Sequence, residues 1–307
     1  MDSQKRASLT AQHSVLEVLP ASGGCIARFA VRTAAGEVDI LRPAGGGDAD
    51  GIDPRQTACF PLVPYSGRIR DGRFVCGTRE VREPLNFAPE RHSIHGHGWQ
   101  RPWRVEAQDA STLTLAYTHA PDDWPYAYTA RQCFRLDPPP SADHLGALAI
   151  TVSLTNESDE PMPAGLGLHP YFARTPGAHL SAQVSGVWLT DDEVMPVEHA
   201  GLPASMPLPG GIHVDRTPLD HAFTGFGGVA DIEWPERKLK VRLRASPLLG
   251  FLVVYTPPGE DFFCVEPVSN CTDAFNLAAA GCNDTGMLML EPERTVRAEV
   301  RLEAAQA

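Results

Sequence analysis

From Val15 onward, short runs of alternating apolar and polar residues follow one another, each broken by glycine or proline. Strict alternation marks a strand with one buried face, whereas apolar residues every three or four positions would mark a helix. The alternation predicts strands over residues 15–19, 25–31, 38–41, 112–117, 126–136, 148–154, 238–245, 251–255, 262–265, 287–290 and 295–303. Two are especially clean. In Lys238-Leu239-Lys240-Val241-Arg242-Leu243-Arg244 the apolar side chains all point one way and the basic ones the other. Val296, Ala298, Val300 and Leu302 do the same against Arg297, Glu299, Arg301 and Glu303. Both read as antiparallel strands with one face in water. Helical periodicity is nowhere sustained over three turns, and the best helical stretch is a short turn at 276–280. The chain therefore reads as all-β, a large sandwich or several packed sheets.

Punctuation agrees with this reading. Ser22-Gly23-Gly24 and Ala34-Ala35-Gly36 read as turns, and Gly45-Gly46-Gly47-Asp48 as a flexible loop. Residues 1–14 read as a loose tail, with a single domain over 15–307. The proline-rich stretch 138–142 is too short for a linker, and no repeat or low-complexity tract interrupts the rest.

Length and charge narrow the function classes. The 307 residues suffice for two average domains or one large all-β domain. The formal net charge of −12, with no long run of one sign, disfavours nucleic acid and anionic membrane surfaces. A neutral small molecule fits an acidic protein well. The seven cysteines, at 25, 59, 76, 133, 264, 271 and 282, form no CxxC pair and mostly sit in apolar runs. They read as reduced thiols acting as small hydrophobes, the pattern of a cytosolic protein. The first fourteen residues lack the apolar core of a signal peptide, and no apolar run approaches the ~20 residues that span a bilayer. A soluble, cytoplasmic monomer or homodimer is expected.

Candidate chemistry is concentrated in five places. Gly165-Leu166-Gly167-Leu168-His169-Pro170-Tyr171-Phe172 sets one histidine between an apolar run and a proline. Pro170 lacks a backbone donor and pushes His169 towards extended conformations, so strand pairing is expected to end there and leave His169 at a sheet rim. The plainer reading is a satisfied core histidine. Pro64-Tyr65-Ser66-Gly67-Arg68 holds a guanidinium on a constrained backbone, suited to sugar hydroxyls or a carboxylate. The alternative is a solvated loop arginine.

Arg91-His92-Ser93-Ile94-His95-Gly96-His97-Gly98-Trp99-Gln100 has three histidines in six residues. If extended, it points His95 and His97 to one face, a metal-ligand geometry. A cupin-type site would need an acid soon after the second histidine, but Glu106 lies too far along. The glycines instead suggest backbone held close to a ligand, with Trp99 or Trp103 as a stacking face. No metal and no cofactor is expected. Asp220, within Leu219-Asp220-His221-Ala222-Phe223, could accept hydrogen bonds from substrate hydroxyls or simply cap a turn. Glu266 follows four apolar residues and precedes Pro267, so burial should raise its pKa towards a general base's range. A structural ion pair is the rival reading. His169 and Glu266 share one local pattern: apolar strand, functional group, proline. A His and a Glu presented into one cleft form an acid–base pair that moves protons on oxygen without a metal.

These stretches resemble a known family. Pro64-Tyr65-Ser66-Gly67-Arg68-Ile69, Ile94-His95-Gly96, Leu168-His169-Pro170-Tyr171-Phe172, Leu219-Asp220-His221 and Val265-Glu266-Pro267 are similar, in order, to motifs of the aldose 1-epimerase (mutarotase) family. The closing Gly286-Met287-Leu288-Met289-Leu290-Glu291-Pro292-Glu293 resembles its terminal strand, so the likeness spans roughly 15–303. The resemblance implies a large antiparallel β-supersandwich of galactose-mutarotase-like type with a small-molecule sugar in an open cleft. It implies that Glu266 takes the proton from the C1 hydroxyl while His169 protonates the ring oxygen. The ring then opens, C1–C2 rotates, and closure with reversed roles gives the other anomer. His169 would start protonated and Glu266 ionised. The resemblance also places His95 on the ring-oxygen side and gives Arg68 and Asp220 the hydroxyls.

The chain departs from the family pattern at two positions. His92 stands where the family often has asparagine, and His97 replaces the second glycine after His95. Both bear on sugar preference more than on chemistry, and His97 joins Trp99 as a candidate substrate contact. With Arg70 and Arg73 they could favour a phosphorylated or acidic sugar. The expected activity is aldose 1-epimerisation of a hexose or related aldose. A hexose-6-phosphate 1-epimerase and a non-catalytic carbohydrate-binding protein on the same fold are the alternatives.

Overall fold

A computed structural model describes residues 6–34, 36–45, 52–139, 141 and 143–307. The expected loop at Gly45–Asp48 lies outside them from Gly46 onward, as do Ala35 of the second expected turn and two residues of the 138–142 connection. The architecture is all-β. An eleven-stranded and a nine-stranded antiparallel sheet dominate, with three two-stranded ribbons beside them.

The first sheet runs, from edge to edge, Ala7–Thr10, Ser14–Leu19, Cys25–Thr33, Cys59–Leu62, Gly167–Ala173, Phe262–Val268, Phe251–Tyr255, Asp220–Thr224, Gly186–Thr190 and Pro196–Gly201, with Gly36–Asp39 paired to Cys25–Thr33. The second runs Arg104–Gln108, Thr112–His119, Tyr128–Asp137, His144–Asn156, Thr295–Gln306, Leu239–Ala245, Val229–Trp234, His179–Ala182 and Ile212–His213. Both feed one apolar cluster, to which Leu16 and Phe29 contribute from the first sheet and Phe134 and Ile150 from the second. The clean alternations are realised: Leu239, Val241 and Leu243 are buried while Lys240, Arg242 and Arg244 are exposed. The one α-helix among the described residues is the short Ala274–Ala279. No helix among the described residues is long and apolar enough to cross a membrane. All seven cysteines are free thiols.

Two expectations fail. The first concerns the tail, because Ala7–Thr10 is a strand paired with Ser14–Leu19. Ala7 and Leu9 are buried on its inner face while Ser8 and Thr10 face out, an alternation too short to separate from a polar tail by pattern alone. The second concerns Pro170. The strand Gly167–Ala173 runs straight through it and lies in the middle of the sheet, so His169 is not at a rim. Phe262–Val268 likewise runs through Pro267. Between these two strands the ladder is paired at Gly167↔Val268 and resumes at Tyr171↔Cys264. Both prolines fall in that gap, where the neighbouring strand does not need the N–H they lack.

Candidate active site

The gap holds the chemistry. The register on either side of it sets His169 opposite Glu266. His169 is also paired with Phe60 on its other side, Glu266 with Val253, Val253 with Ala222, and Ala222 with Trp188. Phe60, His169, Glu266, Val253, Ala222 and Trp188 thus form one transverse row across six strands, and all six line one cleft of about 640 Å³. That volume lies within the usual range for a small-molecule site, roughly 300–1,000 Å³. Arg68, Glu90, His95 and Thr272, from segments outside the row, line the same cleft.

Within the row, His169 Nε2 lies 3.2 Å from Glu266 Oε1. Glu266 is 2% exposed and its Oε2 is buried without a hydrogen-bond partner. Burial raises the Glu266 carboxyl well above its ordinary value, and the charge of Asp220 adds to the effect. The His169 ring is packed between Phe60 and Tyr171, with centroids 4.4 and 4.7 Å away. Arg42 caps this stack, its guanidinium carbon 4.3 Å from the Tyr171 centroid and 4.6 Å from that of Phe262. Burial pushes the His169 pKa down to about 3, and the Arg42 charge pushes the same way. Its Nδ1 is buried with no partner from another residue, so a bond to its own backbone is what steadies an imidazolium, and burial outweighs it. Burial therefore works against the expected resting state, protonated His169 beside ionised Glu266, and favours a neutral imidazole facing a protonated carboxyl.

His95 is a different kind of histidine. It adopts φ +62°, a left-handed conformation rare outside glycine, and is held there by two bonds to Gly67. Its N–H donates to the Gly67 carbonyl (2.9 Å), and the Gly67 N–H donates to His95 Nδ1 (3.2 Å). The second bond fixes the tautomer, leaving Nε2–H as a donor. Burial first, then the charges of His169 and Arg68, keep its pKa well below the ordinary value. His95 is thus a neutral hydrogen-bond donor on the cleft wall. Arg68 is 3.4 and 3.5 Å from the Glu90 carboxylate, a long and loose pairing. Asp220 lines the cleft with its pKa raised by burial and partly held down by Arg68.

The remaining sequence candidates divide. Trp99 touches the cleft, but one face of its indole is stacked on Phe60 (5.2 Å) and its Nε1 donates to the carbonyls of Ile94 and Gly96. It builds the His95 turn and offers no free stacking face on that side. His97 does not line the cleft. The left-handed turn at His95 and Gly96 breaks the extended geometry that would have aligned the two rings, and His97 Nε2 lies 3.3 Å from His119 Nδ1 behind the loop. The metal pairing of His95 with His97 is therefore absent. His92, Arg70 and Arg73 also lie outside the cleft wall. His92 Nδ1 accepts from the Asp71 N–H, and Arg70 lies 3.7 Å from Asp273.

Sequence reasoning missed Phe60, Arg42 and Trp188, which come from stretches with no distinctive spacing. It also missed Asn270, whose side chain bonds both the N–H and the carbonyl of Ser66 and ties the Arg68 loop to the segment following Glu266. Among the described residues, one group has three ligand atoms close enough to hold a metal: His169, Cys264 and Glu266, all within 4.8 Å of one another.

Known proteins bear on this geometry. The aldose 1-epimerase family model matches residues 5–303. The uncharacterized protein YphB of Escherichia coli (strain K12) is 31% identical over 271 residues, 86% of this chain and 88% of that one. A crystal structure of a candidate aldose 1-epimerase from Escherichia coli K12 superposes with a TM-score of 0.85 at 28% identity, covering 98% of this chain and 99% of that one. A galactose 1-epimerase from Lactobacillus acidophilus NCFM has the same fold, with a TM-score of 0.77 at 15% identity over 98% and 94% of the two chains. This chain belongs to the aldose 1-epimerase family.

Proposed function

We propose that the protein is an aldose 1-epimerase that interconverts the α and β anomers of a free hexose or related aldose, with Glu266 and His169 moving the protons. The observation that carries this reading is the pair itself, 3.2 Å apart at opposing positions on the cleft floor. Such a pair is well placed to straddle the anomeric hydroxyl and the ring oxygen of one pyranose, which are both bonded to C1. Sugar hydroxyls and Arg68 supply the hydrogen bonds that the buried Glu266 carboxylate lacks in the free site. On binding, the shared proton shifts to His169. Glu266 then takes the proton from the C1 hydroxyl as His169 gives its own to the ring oxygen, and the C1–O5 bond breaks. Rotation about C1–C2 turns the other carbonyl face to O5. In closure His169 recovers the proton from O5 while Glu266 returns its proton to the new C1 hydroxyl. The pair ends as it began, so no cofactor is consumed. His95 Nε2–H donates on the ring-oxygen side, and Arg68 and Asp220 hold hydroxyls.

A neutral sugar suits the cleft better than a sugar phosphate. Its guanidinium groups belong to Arg42, Arg55 and Arg68, and five carboxyl side chains line it: Asp53, Glu90, Asp220, Glu260 and Glu266. Arg55 already donates through Nε and Nη2 to Asp53, and Arg68 faces Glu90. A non-catalytic sugar-binding role leaves the buried pair unexplained. Polarimetry over a panel of aldoses and hexose 6-phosphates tests the assignment. Acceleration with a free hexose such as galactose is expected, and acceleration with phosphates alone would favour the hexose-6-phosphate reading.

A further inference from the structure

Cys264 stands two residues before Glu266 on the same strand, so both side chains leave the same face. It is paired with Tyr171 on one side and Tyr255 on the other, both of which line the cleft. Its thiol, the His169 imidazole and the Glu266 carboxylate each offer an atom within 4.8 Å of the other two. All three residues are at least nine-tenths buried, and Glu266 Oε2 has no partner. The acid–base chemistry proposed above makes no use of the thiol.

We propose that His169, Cys264 and Glu266 form a binding site for a soft divalent cation such as zinc or cadmium, and that the bound ion blocks the cleft. Sulfur, nitrogen and oxygen bind zinc at about 2.3, 2.0 and 2.1 Å, so tetrahedral ligand atoms stand roughly 3.2–3.7 Å apart. The His169–Glu266 separation of 3.2 Å already meets that, and the thiol, within 4.8 Å of both, needs to approach by at most about 1 Å. Three protein ligands with the fourth position open to the cleft is the usual arrangement of an accessible zinc site. A thiol among the ligands selects zinc or cadmium over magnesium, which demands six oxygens. On ligation the thiol and the protonated Glu266 carboxyl each lose a proton to water, and neutral His169 binds through its free ring nitrogen. The ion then occupies the carboxylate and imidazole that the epimerase reading needs free, so the inhibitory part of the proposal rests on that reading while the binding part does not.

Cadmium titration of the chelator-treated protein, followed by the ultraviolet thiolate-to-cadmium band and by calorimetry with zinc, tests the site directly. Loss of an outer-shell partner alone weakens metal sites roughly 10–100-fold, so Cys264→Ser, which removes a ligand, should weaken zinc binding by about 100-fold or more and remove one equivalent of the band. Cys264→Ser retains exposed Cys282 and partly buried Cys76, so binding at those thiols is common to both proteins. Unchanged affinity in Cys264→Ser, or no stoichiometric binding to the wild type, would overturn the site. In the mutarotation assay, zinc should inhibit the wild type and spare Cys264→Ser. Zinc binding in a protein with no epimerase activity would sink the catalytic reading and leave the metal site standing.

Discussion

His169 and Glu266 face each other across a break in the ladder between two central strands, with Nε2 and Oε1 3.2 Å apart, and neither forms a second ion pair among the described residues. Burial drives both towards neutrality. In the proposed mechanism these two groups share one proton, which a bound sugar draws to either side. Pro170 and Pro267 are part of this arrangement. Each occupies the ladder position beside its functional neighbour and leaves no N–H to be satisfied there.

The tautomer assigned to His95 separates its role from that of His169. A neutral Nε2–H donor contributes a single hydrogen bond, about 0.5–1.5 kcal/mol. His95→Ala should therefore lower kcat/KM by roughly 3–10-fold, far less than loss of a general acid. Steady-state kinetics settles the matter. A loss as deep as that of His169→Asn would make His95 a proton donor in its own right.

Gly96 keeps the His95 turn in place. Its φ is +65°, and an added Cβ would sit 2.4 Å from Pro64 Cδ and 2.5 Å from the Val63 carbonyl oxygen. Those atoms belong to the loop that presents Arg68, so they have little room to move. Gly96→Ala should destabilise the protein by about 2–4 kcal/mol, on the scale of a strained and overpacked backbone site. Urea denaturation measures this, and a change under about 0.5 kcal/mol, the range of an ordinary surface substitution, would contradict it.

Glu83 carries a pH dependence unrelated to the cleft. Burial, and then the charges of Asp122 and Asp123, raise its pKa from 4.5 to about 8. The folded state thus holds this proton more tightly than the unfolded chain. Below about pH 4.5 both states are protonated and Glu83 has no effect. As pH rises towards 8 the unfolded chain ionises first, and stability falls until the folded group also ionises. Glu83→Gln removes this penalty. The variant should match the wild type near pH 4.5 and exceed it by roughly 2–4 kcal/mol above pH 8, allowing for the group's partial exposure. An equal difference at both pH values would refute the assignment.

Part of the candidate site was legible in local pattern. An acid after four apolar residues and a histidine before a proline both stand out, and both line the cleft. All-β architecture followed from period-two alternation and dense glycine and proline. Pairing was not legible. A proline read along the sequence looks like a strand end, whereas Pro170 and Pro267 lie inside central strands because their missing donors fall in one shared gap. His95 and His97 were aligned on paper by assuming extended backbone, and the left-handed turn at 95–96 separates them. Phe60 and Arg42 carry no spacing signal, since only the order of strands brings them beside His169.

The most direct test of the account is the enzyme-catalysed mutarotation rate of Glu266→Gln on the best aldose, followed by polarimetry beside the wild type and His169→Asn. Glutamine keeps the shape and cannot take the C1 hydroxyl proton, and asparagine cannot protonate the ring oxygen. Each variant should fold normally and lose roughly 10²–10⁴ in kcat, the span of general acid–base catalysis. Near-wild-type turnover by either variant would contradict the proposed proton shuttle.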